Sequence, residues 1–353
     1  MTFFTGTKTR RRLSSWGVSI LLVLAMGSLA TLPSGYVIQR PGQVFNVMSE
    51  VSGTAVISSP DLDSFESDSR FDVTTVSLLG NRESNPNWVQ VLFAWADPNQ
   101  VVLPLDEVFP PTKTTAQVRA ESSAQMEVSQ QDAIAAALGE MGYTIPRRLY
   151  VNTVLEDAPA ASKLVAGDFV LAAGGVDIES FEELREQIQA SGENPLVISV
   201  ERSGERLDFD ITPAKRDDGY FIGAMVGYTY DFPYQIDLQL GEVGGPSGGL
   251  MFSLGIIDSF TEGSLAGPNH VSGTGTISSA GEVGPIGGIK LKLVAAKNSG
   301  ADLFLIPAGN CQEALGHVPD GLQVAVVRDL KEALQAVGSL KDGKTLPPLS
   351  CNN

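Results

Sequence analysis

The sequence contains few of the residues on which metal centres and histidine-based catalysis depend, with two histidines and two cysteines among 353 residues. Neither their number nor their spacing matches the ligand sets that hold zinc. We therefore predict no metal site, and no cofactor is expected. A Ser-His-Asp triad would have to use His270 or His317, because the sequence has no other histidine. A histidine-based hydrolase is accordingly disfavoured.

Basic residues are also scarce, with 24 lysines and arginines against 41 acidic residues and a formal net charge of −17. Residues 1–40 contain five basic residues and no acidic one, so residues 41–353 carry a net charge of −22. Phosphate backbones repel such an acidic body, which argues against nucleic acid as a partner. The acidity is typical of a protein whose surface charge keeps it soluble.

The two cysteines, Cys311 and Cys351, allow a single disulfide. In an oxidising compartment it would close a loop of about 40 residues and stabilise the fold by about 4 kcal/mol through chain entropy. The bond would tie the C-terminal tail to the preceding domain. The alternative is two unpaired thiols.

The N-terminal residues have the pattern of a membrane anchor. Four basic residues within 1–12 precede an uncharged apolar run, Trp16–Leu32. A bilayer is spanned by about 20 apolar residues, and flanking basic residues stay on the cytoplasmic side. We predict a cytoplasmic segment at 1–12, a single transmembrane helix at 13–36 and a body that faces the exterior at the cell membrane. The alternative is a signal peptide cleaved after Ala30.

Residues 41–126 are predicted to form a β-rich region and a linker. The segments FDVTTVSLL (71–79) and WVQVLFAW (88–95) are rich in β-branched and aromatic residues, and a polar turn separates them. Residues 113–127 are polar and are expected to form a linker or a helix. The segment Ser129–Leu138 is expected to be helical, with Ser129 as its N-cap.

Residues 127–215 form the next predicted domain, in which strands and turns surround one helix. That helix is expected at Ser180–Ser191, with Ser180 as N-cap and Glu183 at the capping-box position. The order of elements resembles a PDZ domain, and so do three motifs: Ala158-Pro159-Ala160, Leu164-Val165-Ala166-Gly167-Asp168 and Gly174-Gly175-Val176.

The PDZ resemblance implies a module that binds the ends of extended peptides by adding a strand to a sheet edge. We expect the loop around Gly142 and Tyr143 to hold the end group of the peptide. The alternative is a structural domain that binds nothing.

A glycine-rich loop, GEVGGPSGG (241–249), leads into an apolar helical run that starts at Leu250. Glycines let backbone N–H groups approach a ligand, and the N-terminus of a helix favours negative charge. Ser247 in this loop is therefore a candidate nucleophile, with N–H groups nearby to hold an oxyanion. The alternative is that Ser247 only caps the helix.

The stretch GTGTISSAGEVGPIGGIKLKLVAAKNSGADLFLIPAGN (273–310) resembles the Lon peptidase domain. In that family a TG-x-I strand, a G-x-V-x-P-I-G-G hairpin, a K-x-x-A-A helix and a LIP strand follow in this order. Together with the GGPSG sequence, the resemblance covers residues 217–338, which we predict to be a Lon-type proteolytic domain. The whole arrangement resembles a bacterial family of membrane-anchored, PDZ-containing Lon-like serine peptidases.

The Lon resemblance implies a Ser-Lys dyad. The nucleophile of the family falls on Ser247, and the base falls on Lys292, which precedes the Ala-Ala pair of the helix, rather than on the nearby Lys290. Thr274 matches the threonine that holds this lysine by a hydrogen bond. Gly245 is expected to contribute a backbone N–H to the oxyanion.

Two positions depart from the pattern of the family. Gly248 stands where an alanine usually follows the serine, and Gly244 stands where many Lon peptidases have an acidic residue. We expect these departures to affect the efficiency of the site rather than its identity.

The chemistry of such a dyad needs a neutral amine. A free lysine has a pKa near 10.4 and is almost fully charged at pH 7, so an apolar setting must lower the pKa. Leu291, Leu293 and Val294 supply apolar neighbours to Lys292 in the sequence. The expected reaction is acyl transfer, in which Lys292 takes the proton of Ser247 and Ser247 attacks a peptide carbonyl.

The C-terminal tail, residues 339–353, overlaps a sequence that satisfies the pattern of a nucleotide-binding P-loop, GSLKDGKT (338–345). It follows an expected helix, Asp329–Val337, rather than a strand, and LPPLSCNN after it cannot form the required helix. We interpret the match as chance and expect no ATPase module in this sequence.

Taken together, the patterns predict an α+β protein with a transmembrane helix, a β-rich region with a PDZ-like domain, and a Lon-type α/β peptidase domain. The predicted function is an ATP-independent serine endopeptidase of the cell envelope that cleaves unstructured polypeptides. The resemblance also implies a ring-shaped homo-oligomer. The alternatives are an envelope peptide-binding scaffold with an inactive Lon-like domain and a peptidase that acts only on itself.

Overall fold

The computed structural model describes residues 30–351 except 52, 218 and 240–243, together with 19–20, 23–24 and 27–28. The chain divides into two compact units. The first contains Met1–Ala137 and Ile236–Asn353, and the second contains Leu138–Gln235.

No helix of the described residues has the length and apolar character that a bilayer crossing requires. The predicted fold class included an N-terminal transmembrane helix, and this finding contradicts it. The finding also contradicts the predicted single-pass location at the cell membrane. The segments predicted as 1–12 and 13–36 lie largely outside the described residues. The described fold is a mixed α/β structure.

Strands and helices alternate irregularly along the chain. The strands are β1 (Tyr36–Asn46), β2 (Glu50–Val51), β3 (Thr54–Ala55), β4 (Ile57–Ser58), β5 (Arg70–Leu79), β6 (Val101–Pro104), β7 (Arg147–Val154), β8 (Phe169–Ala173), β9 (Val176–Asp177), β10 (Leu196–Arg202), β11 (Glu205–Ile211), β12 (Ala214–Arg216), β13 (Gly219–Phe221), β14 (Ala224–Tyr230), β15 (Asp237–Leu238), β16 (His270–Gly273), β17 (Thr276–Ile277), β18 (Val283–Gly284), β19 (Leu303–Pro307) and β20 (Gln323–Val327). The α-helices are α1 (Trp88–Ala96), α2 (Leu105–Val108), α3 (Thr115–Glu140), α4 (Phe181–Ser191), α5 (Gly249–Phe260), α6 (Ile289–Asn298), α7 (Cys311–Ala314) and α8 (Leu330–Lys341).

A six-stranded sheet organises the first unit, in the order β20-β19-β16-β5-β1-β6. Strands β20, β19, β16 and β5 are parallel, whereas β1 and β6 join antiparallel to their neighbours. All five residues of β19, LFLIP, are buried, as expected for a parallel strand that is covered on both faces. All twelve residues of α5 are buried as well, so this helix lies inside the unit.

The sheet joins two parts of the chain that the sequence predicted as separate regions, 41–126 and 217–338. Strand β5 pairs in parallel with β16 from the later region, with Asp72 opposite Ser272. The strand predicted at 71–79 is confirmed as β5, but its partner could not be read from local sequence. The two regions share one sheet because β5 lies between β16 and β1.

The segment WVQVLFAW was predicted to be β-rich, and this prediction is wrong, because it forms helix α1. The Asn87 side chain accepts a hydrogen bond from the backbone of Gln90, and the Gln90 side chain accepts one from the backbone of Asn87. This capping box starts the helix. Val91 and Ala94 face the interior, three residues apart, as helical spacing requires. The apolar residues at the other positions hid that spacing.

Helix α3 also differs from its prediction. It begins at Thr115 and continues to Glu140, so residues 113–127 are mainly helical and Ser129 is inside the helix rather than at its N-cap. The Ser129 hydroxyl instead donates a hydrogen bond to the carbonyl of Pro246, at 2.9 Å. A long-range contact therefore uses the side chain that was assigned to a cap.

The second unit contains a sheet in the order β11-β10-β8-β7-β14, with β9 paired to β8. The predicted helix is confirmed as α4, and Ser180 and Glu183 form the predicted capping box. Asp168 of the Gly-Asp motif is fully buried and accepts two hydrogen bonds from Arg202, each 2.7 Å long. Burial raises the pKa of Asp168, but the hydrogen bonds from Arg202 and from the Val165 backbone, together with the charge of Arg202, outweigh it, and the net pKa is lowered.

The C-terminal residues attach to the first unit through a disulfide. Cys311 and Cys351 are bonded, with their Cα atoms 5.7 Å apart and a separation of 40 in the sequence. Helix α8 begins after Asp329, whose side chain caps it, and extends to Lys341. The first residues of the P-loop-like sequence, 338–341, therefore belong to a helix and not to a strand-to-helix loop.

Candidate active site

The glycine-rich loop enters helix α5 through a single turn of 3-10 helix, Pro246–Gly248. Gly245 before this turn has a φ of 88°, a conformation that glycine adopts without strain. The carbonyl of Ser247 accepts hydrogen bonds from the backbone N–H of Gly275 and from the hydroxyl of Thr274, both 2.9 Å long. These bonds hold Ser247 beside the chain that follows β16.

Lys292 lies in the first turns of α6 and reaches Ser247. Its Nζ is 2.8 Å from the Oγ of Ser247 and 2.8 Å from the Oγ1 of Thr274. The structure thus brings together the three side chains that the resemblance assigned to one site. Lys290 precedes Lys292 by two residues, about 200° round the helix, and is half-buried elsewhere.

The setting of Lys292 favours its neutral form. Lys292 is 3% exposed, and Thr274 beside it is fully buried. Burial lowers the pKa of Lys292 from 10.5 to about 8. About a tenth of such lysines are neutral at pH 7, against about 0.03% for a lysine at 10.5. The buried amine is therefore able to accept a proton near neutral pH.

Neither histidine takes the place of this lysine. The loop residues Gly245–Gly249 satisfy the Gly-x-Ser-x-Gly pattern of hydrolases that use a histidine base. Yet the side chain bonded to Ser247 is Lys292, whereas the Nε2 of His270 lies 2.5 Å from a carboxylate oxygen of Asp72. The geometry gives Ser247 a lysine partner.

A cavity of about 630 Å³ opens beside Ser247 and Lys292. Strands β1 and β5 form one wall, helix α3 contributes Met126, and Gly287 lies at the start of α6. At this wall the β1–β5 register is irregular between Pro41 and Val44. Local sequence did not indicate that this early region lines the site, because it showed only the strand propensity of the region. The lining residues from these strands are Pro41, Gly42, Gln43, Phe45, Val73, Thr75, Val76 and Ser77.

The two departures from the family pattern have steric reasons. A Cβ at position 248 would lie 3.3 Å from Val73 Cγ1 and 3.2 Å from Phe252 Cε2, which is tight for an alanine. A Cβ at position 244 would lie 2.6 Å from Ser122 Oγ, so an acidic side chain could enter only if the Ser122 hydroxyl turned away. Glycine at both positions accommodates the close approach of neighbouring elements.

Gly245 does not present a free donor to the cavity. Its N–H donates to the carbonyl of Ser122 in α3, at 3.0 Å. An oxyanion could use this N–H only after the bond to Ser122 opened, so the structure does not place Gly245 in its predicted role.

Gly142 and Tyr143, the predicted end-group site, terminate helix α3. Their N–H groups donate to the carbonyls of Gly139 and Leu138, and the Tyr143 ring meets Tyr234 edge to face at 5.2 Å. The cavity of the second unit lies between α4 and the β13–β14 segment instead. Its volume is about 350 Å³.

Metal ligands are not clustered in the part of the chain that the structure describes: no group of three or more His, Cys, Asp or Glu side chains could hold an ion there.

Residues 241–339 match the protein-family model of the Lon protease (S16) C-terminal proteolytic domain. Over this stretch the chain is similar to Lon proteolytic domains. Ser247, Thr274 and Lys292 all lie within the matched residues. The similarity supports a serine peptidase.

Curated Lon proteases are similar to the same part of the chain. Lon protease 2 of Bacillus subtilis (strain 168) is 37% identical over 95 residues, which are 27% of this chain and 17% of that protein. The Lon protease of Lachnoclostridium phytofermentans is 35% identical over 94 residues, which are 26% of this chain and 11% of that protein. The chain thus spans less than a fifth of the length of these relatives.

Solved structures similar to the chain are PDZ domains of SdrC-like proteins. The domain from Listeria monocytogenes is 27% identical and covers 22% of this chain and 85% of its own, with a TM-score of 0.21. The domain from Listeria innocua is 26% identical and covers 22% of this chain and 92% of its own, with a TM-score of 0.21.

Proposed function

We propose that this protein is an ATP-independent serine endopeptidase in which Ser247 is the nucleophile and Lys292 the general base. One observation carries the proposal: the Nζ of a lysine that is 3% exposed lies 2.8 Å from a serine Oγ that borders an open cavity. Burial lowers the pKa of Lys292 to about 8, as a general base near neutral pH requires.

The proposed reaction is acyl transfer in two stages. Lys292 takes the proton of Ser247 as the Oγ attacks the peptide carbonyl, and the ammonium then gives this proton to the leaving amine. In the second stage Lys292 takes a proton from water as the water oxygen attacks the acyl carbonyl, and it returns this proton to the Oγ of Ser247 when the acyl bond breaks. Thr274 accepts a hydrogen bond from Lys292 and holds the Nζ near Ser247 throughout.

Backbone N–H groups around Ser247 are the proposed oxyanion donors, because the helix N-terminus directs them towards negative charge. Gly245 joins them only if its bond to the Ser122 carbonyl breaks. A movement of the loop against α3 would then accompany substrate binding.

The proposed substrates are unstructured polypeptides. The P-loop-like sequence lies partly in α8, so these residues offer no nucleotide site that would power unfolding. A peptidase that works without an ATP-driven motor admits only loose segments to its cavity. Denatured casein should be cleaved faster than the folded form of a matched substrate, and equal rates would contradict this part of the proposal.

The decisive experiment compares the wild type with Ser247→Ala, Lys292→Ala and Lys290→Ala on denatured casein. The first two substitutions should abolish cleavage, because they remove the nucleophile and the base. Lys290→Ala is the matched control and should remain active. A wild type that is inert at pH 8 and at pH 9 would favour the alternative, a peptide-binding scaffold with an inactive Lon-like domain.

A second candidate function is peptide binding by the unit Leu138–Gln235. Its strand β14 lies at one end of the sheet and pairs on one side with β7. The cavity beside it is lined by exposed apolar side chains, of which Phe181 is 44% and Met225 is 56% exposed. An extended peptide could add a strand to β14 and place its side chains in this cavity.

Arginines at this cavity favour a peptide that ends in a free carboxylate. Arg185 and Arg216 both line it, and the Arg216 guanidinium lies 3.7 Å from the centre of the Phe221 ring. Fluorescence polarisation should show tighter binding of a free C-terminus than of its amide, and Arg185→Ala should reduce the difference. Tyr143→Ala is the control, and a loss of binding in that variant alone would return the site to the Gly142–Tyr143 loop.

The compartment and the assembly of the peptidase are further parts of the proposal. The Cys311–Cys351 disulfide favours an oxidising compartment, because cytosolic thiols are kept reduced. We also propose a homo-oligomer, which sedimentation velocity of the purified protein tests directly. A monomer with full activity would remove assembly from the proposal.

A further inference from the structure

A buried asparagine forms hydrogen bonds with the segment that leads into α6, the helix that contains Lys292. Asn310 is 4% exposed and ends a short 3-10 turn, Ala308–Asn310, after strand β19. Its Oδ1 accepts a hydrogen bond from the N–H of Ile286, and its Nδ2 donates to the carbonyl of Ile286, both at 2.8 Å. One side chain thus satisfies both backbone polar groups of one residue.

Ile286 lies three residues before Ile289, the first residue of α6. Gly287 after it lines the cavity, and Gly288 adopts a φ of 74° and caps the helix. The N–H of Lys292 donates to the carbonyl of Gly288, at 3.1 Å. The position of Ile286 therefore determines where α6 begins and where the Lys292 side chain points.

Ile286 also packs against a buried core cluster that includes Ile289 and Leu293 of α6, but few hydrogen bonds hold this segment. Within the described structure, the hydrogen bonds found at Pro285–Gly287 are the two made by Asn310. Before it, the N–H of Val283 donates to the carbonyl of Arg328 at 2.8 Å. Gly284 then pairs with Thr276 of β17, so only the segment Pro285–Gly287, between that pairing and the helix, would depend on packing alone if the amide of Asn310 were lost.

An amide side chain is the group that this position requires. Ile286 presents one donor and one acceptor, and a carboxamide offers one acceptor and one donor in the same plane. A carboxylate offers only acceptors, so it would retain the bond to the Ile286 N–H and oppose the Ile286 carbonyl. We call the two hydrogen bonds between the Asn310 side chain and the backbone of Ile286 the clamp. Asn310→Asp is therefore a nearly isosteric test of the clamp.

We propose that Asn310 is a positioning residue for Lys292, acting through the backbone of Ile286 and the start of α6. The inference rests on the proposed function, in which Lys292 is the general base. In this inference a side chain outside the cavity keeps the Nζ of Lys292 at 2.8 Å from the Oγ of Ser247.

The test compares the wild type, Asn310→Asp and Gln312→Glu. Gln312 is exposed two residues further along, so Gln312→Glu controls for the added negative charge. The proton-binding midpoint of Lys292 is measured by NMR of labelled lysine, with Lys292→Met to assign the signal. In the wild type it should lie near pH 8, and in Asn310→Asp it should move towards 10.5 as the amine becomes hydrated.

Peptidase kinetics provide the second measurement. Each unit by which the pKa rises lowers the neutral fraction of Lys292 at pH 7 about tenfold, so kcat should fall at least about tenfold. The loss should diminish as the pH is raised, and KM should stay unchanged because Asn310 does not line the cavity. An equal loss at every pH, with an unmoved midpoint, would show a merely structural role and overturn the proposal.

Two further outcomes remain decisive. If the wild type has no peptidase activity, the proposed function fails, but the NMR midpoint of Lys292 still decides whether Asn310 positions it. If Asn310→Asp does not fold, hydrogen exchange in the wild type decides instead. Strong protection of the Ile286 amide supports the clamp, and exchange at the rate of an exposed amide overturns it.

Discussion

Burial of Lys292 should destabilise the folded protein, and Lys292→Met measures by how much. The pKa falls from 10.5 to about 8 on burial, which corresponds to about 3 kcal/mol at about 1.4 kcal/mol for each pKa unit. Methionine has a similar length and no charge. It also loses the two hydrogen bonds of the amine, each worth about 1 kcal/mol. We expect the substitution to raise the free energy of unfolding at pH 7 by about 1 kcal/mol.

The sign of the pH dependence follows from the two pKa values. Between pH 8 and pH 10.5, Lys292 is mostly neutral in the folded protein and still protonated in the unfolded chain. The unfolded chain then binds more protons, so the stability of the wild type rises with pH. The advantage of Lys292→Met should therefore shrink by about 1.4 kcal/mol for each pH unit in this window and reverse near about pH 9.

Urea denaturation at pH 7, 8, 9 and 10 provides the measurement. The quantity of interest is the difference in unfolding free energy between wild type and variant, because the other titrating groups cancel in it. Lys290→Met is the matched control, since its lysine is half-buried and distant from Ser247 round the helix. The difference in unfolding free energy between the wild type and Lys292→Met should change from pH 7 to pH 10. A constant difference would refute the assignment of a desolvated, titrating amine to Lys292.

Three other substitutions test the structural assignments. Cys351→Ser opens the bond to Cys311 and should lower the unfolding free energy by about 4 kcal/mol, which a denaturant titration would show; a stability equal to that of the reduced wild type confirms the cause. Burial raises the pKa of Asp72, but hydrogen bonds from His270 and Arg70 outweigh it, so the net pKa is lowered. Asp72→Asn should therefore lower the unfolding free energy at pH 6 by about 2 kcal/mol. This difference from the wild type should fade below about pH 4, where the wild-type carboxylate is protonated. A difference that persists in acid would point to packing instead. Asn87→Ala removes the cap of α1 and should lower the unfolding free energy by about 1 kcal/mol, and no change in thermal midpoint would mean that α1 is held by packing alone.

Local patterns predicted those features that depend on neighbours in the chain. Ser180 and Glu183 form the predicted capping box because both hydrogen bonds close within four residues. The LIP strand that the Lon resemblance implied is part of β19, and its continuous apolar character fits a buried strand. Local interpretation failed for WVQVLFAW, where every position except Gln90 is apolar, so the segment showed no clear helical periodicity.

The sequence also indicated which residue types would form a reactive site. A serine in a glycine-rich loop before a buried helix, and a lysine among apolar neighbours, belong to chemistry that sequence order can suggest. The choice of Lys292 over Lys290 came from the resemblance to Lon peptidases. The structure adds the physical reason: α6 begins at Ile289, and its helical phase directs position 292 and not position 290 at Ser247.

Only the tertiary structure decided what surrounds those residues. The pairing of β5 with β16 joins positions 70–73 to 270–273, and no local pattern encodes a partner about 200 residues away. That pairing builds the cavity wall from the early region of the chain. The bond from Gly245 to Ser122 and the clamp of Asn310 on Ile286 arise in the same way. The sequence was sufficient to identify the residue types of the site. The burial of the site, its cavity wall and the hydrogen bonds that hold it depend on long-range packing, which forms only when the chain folds.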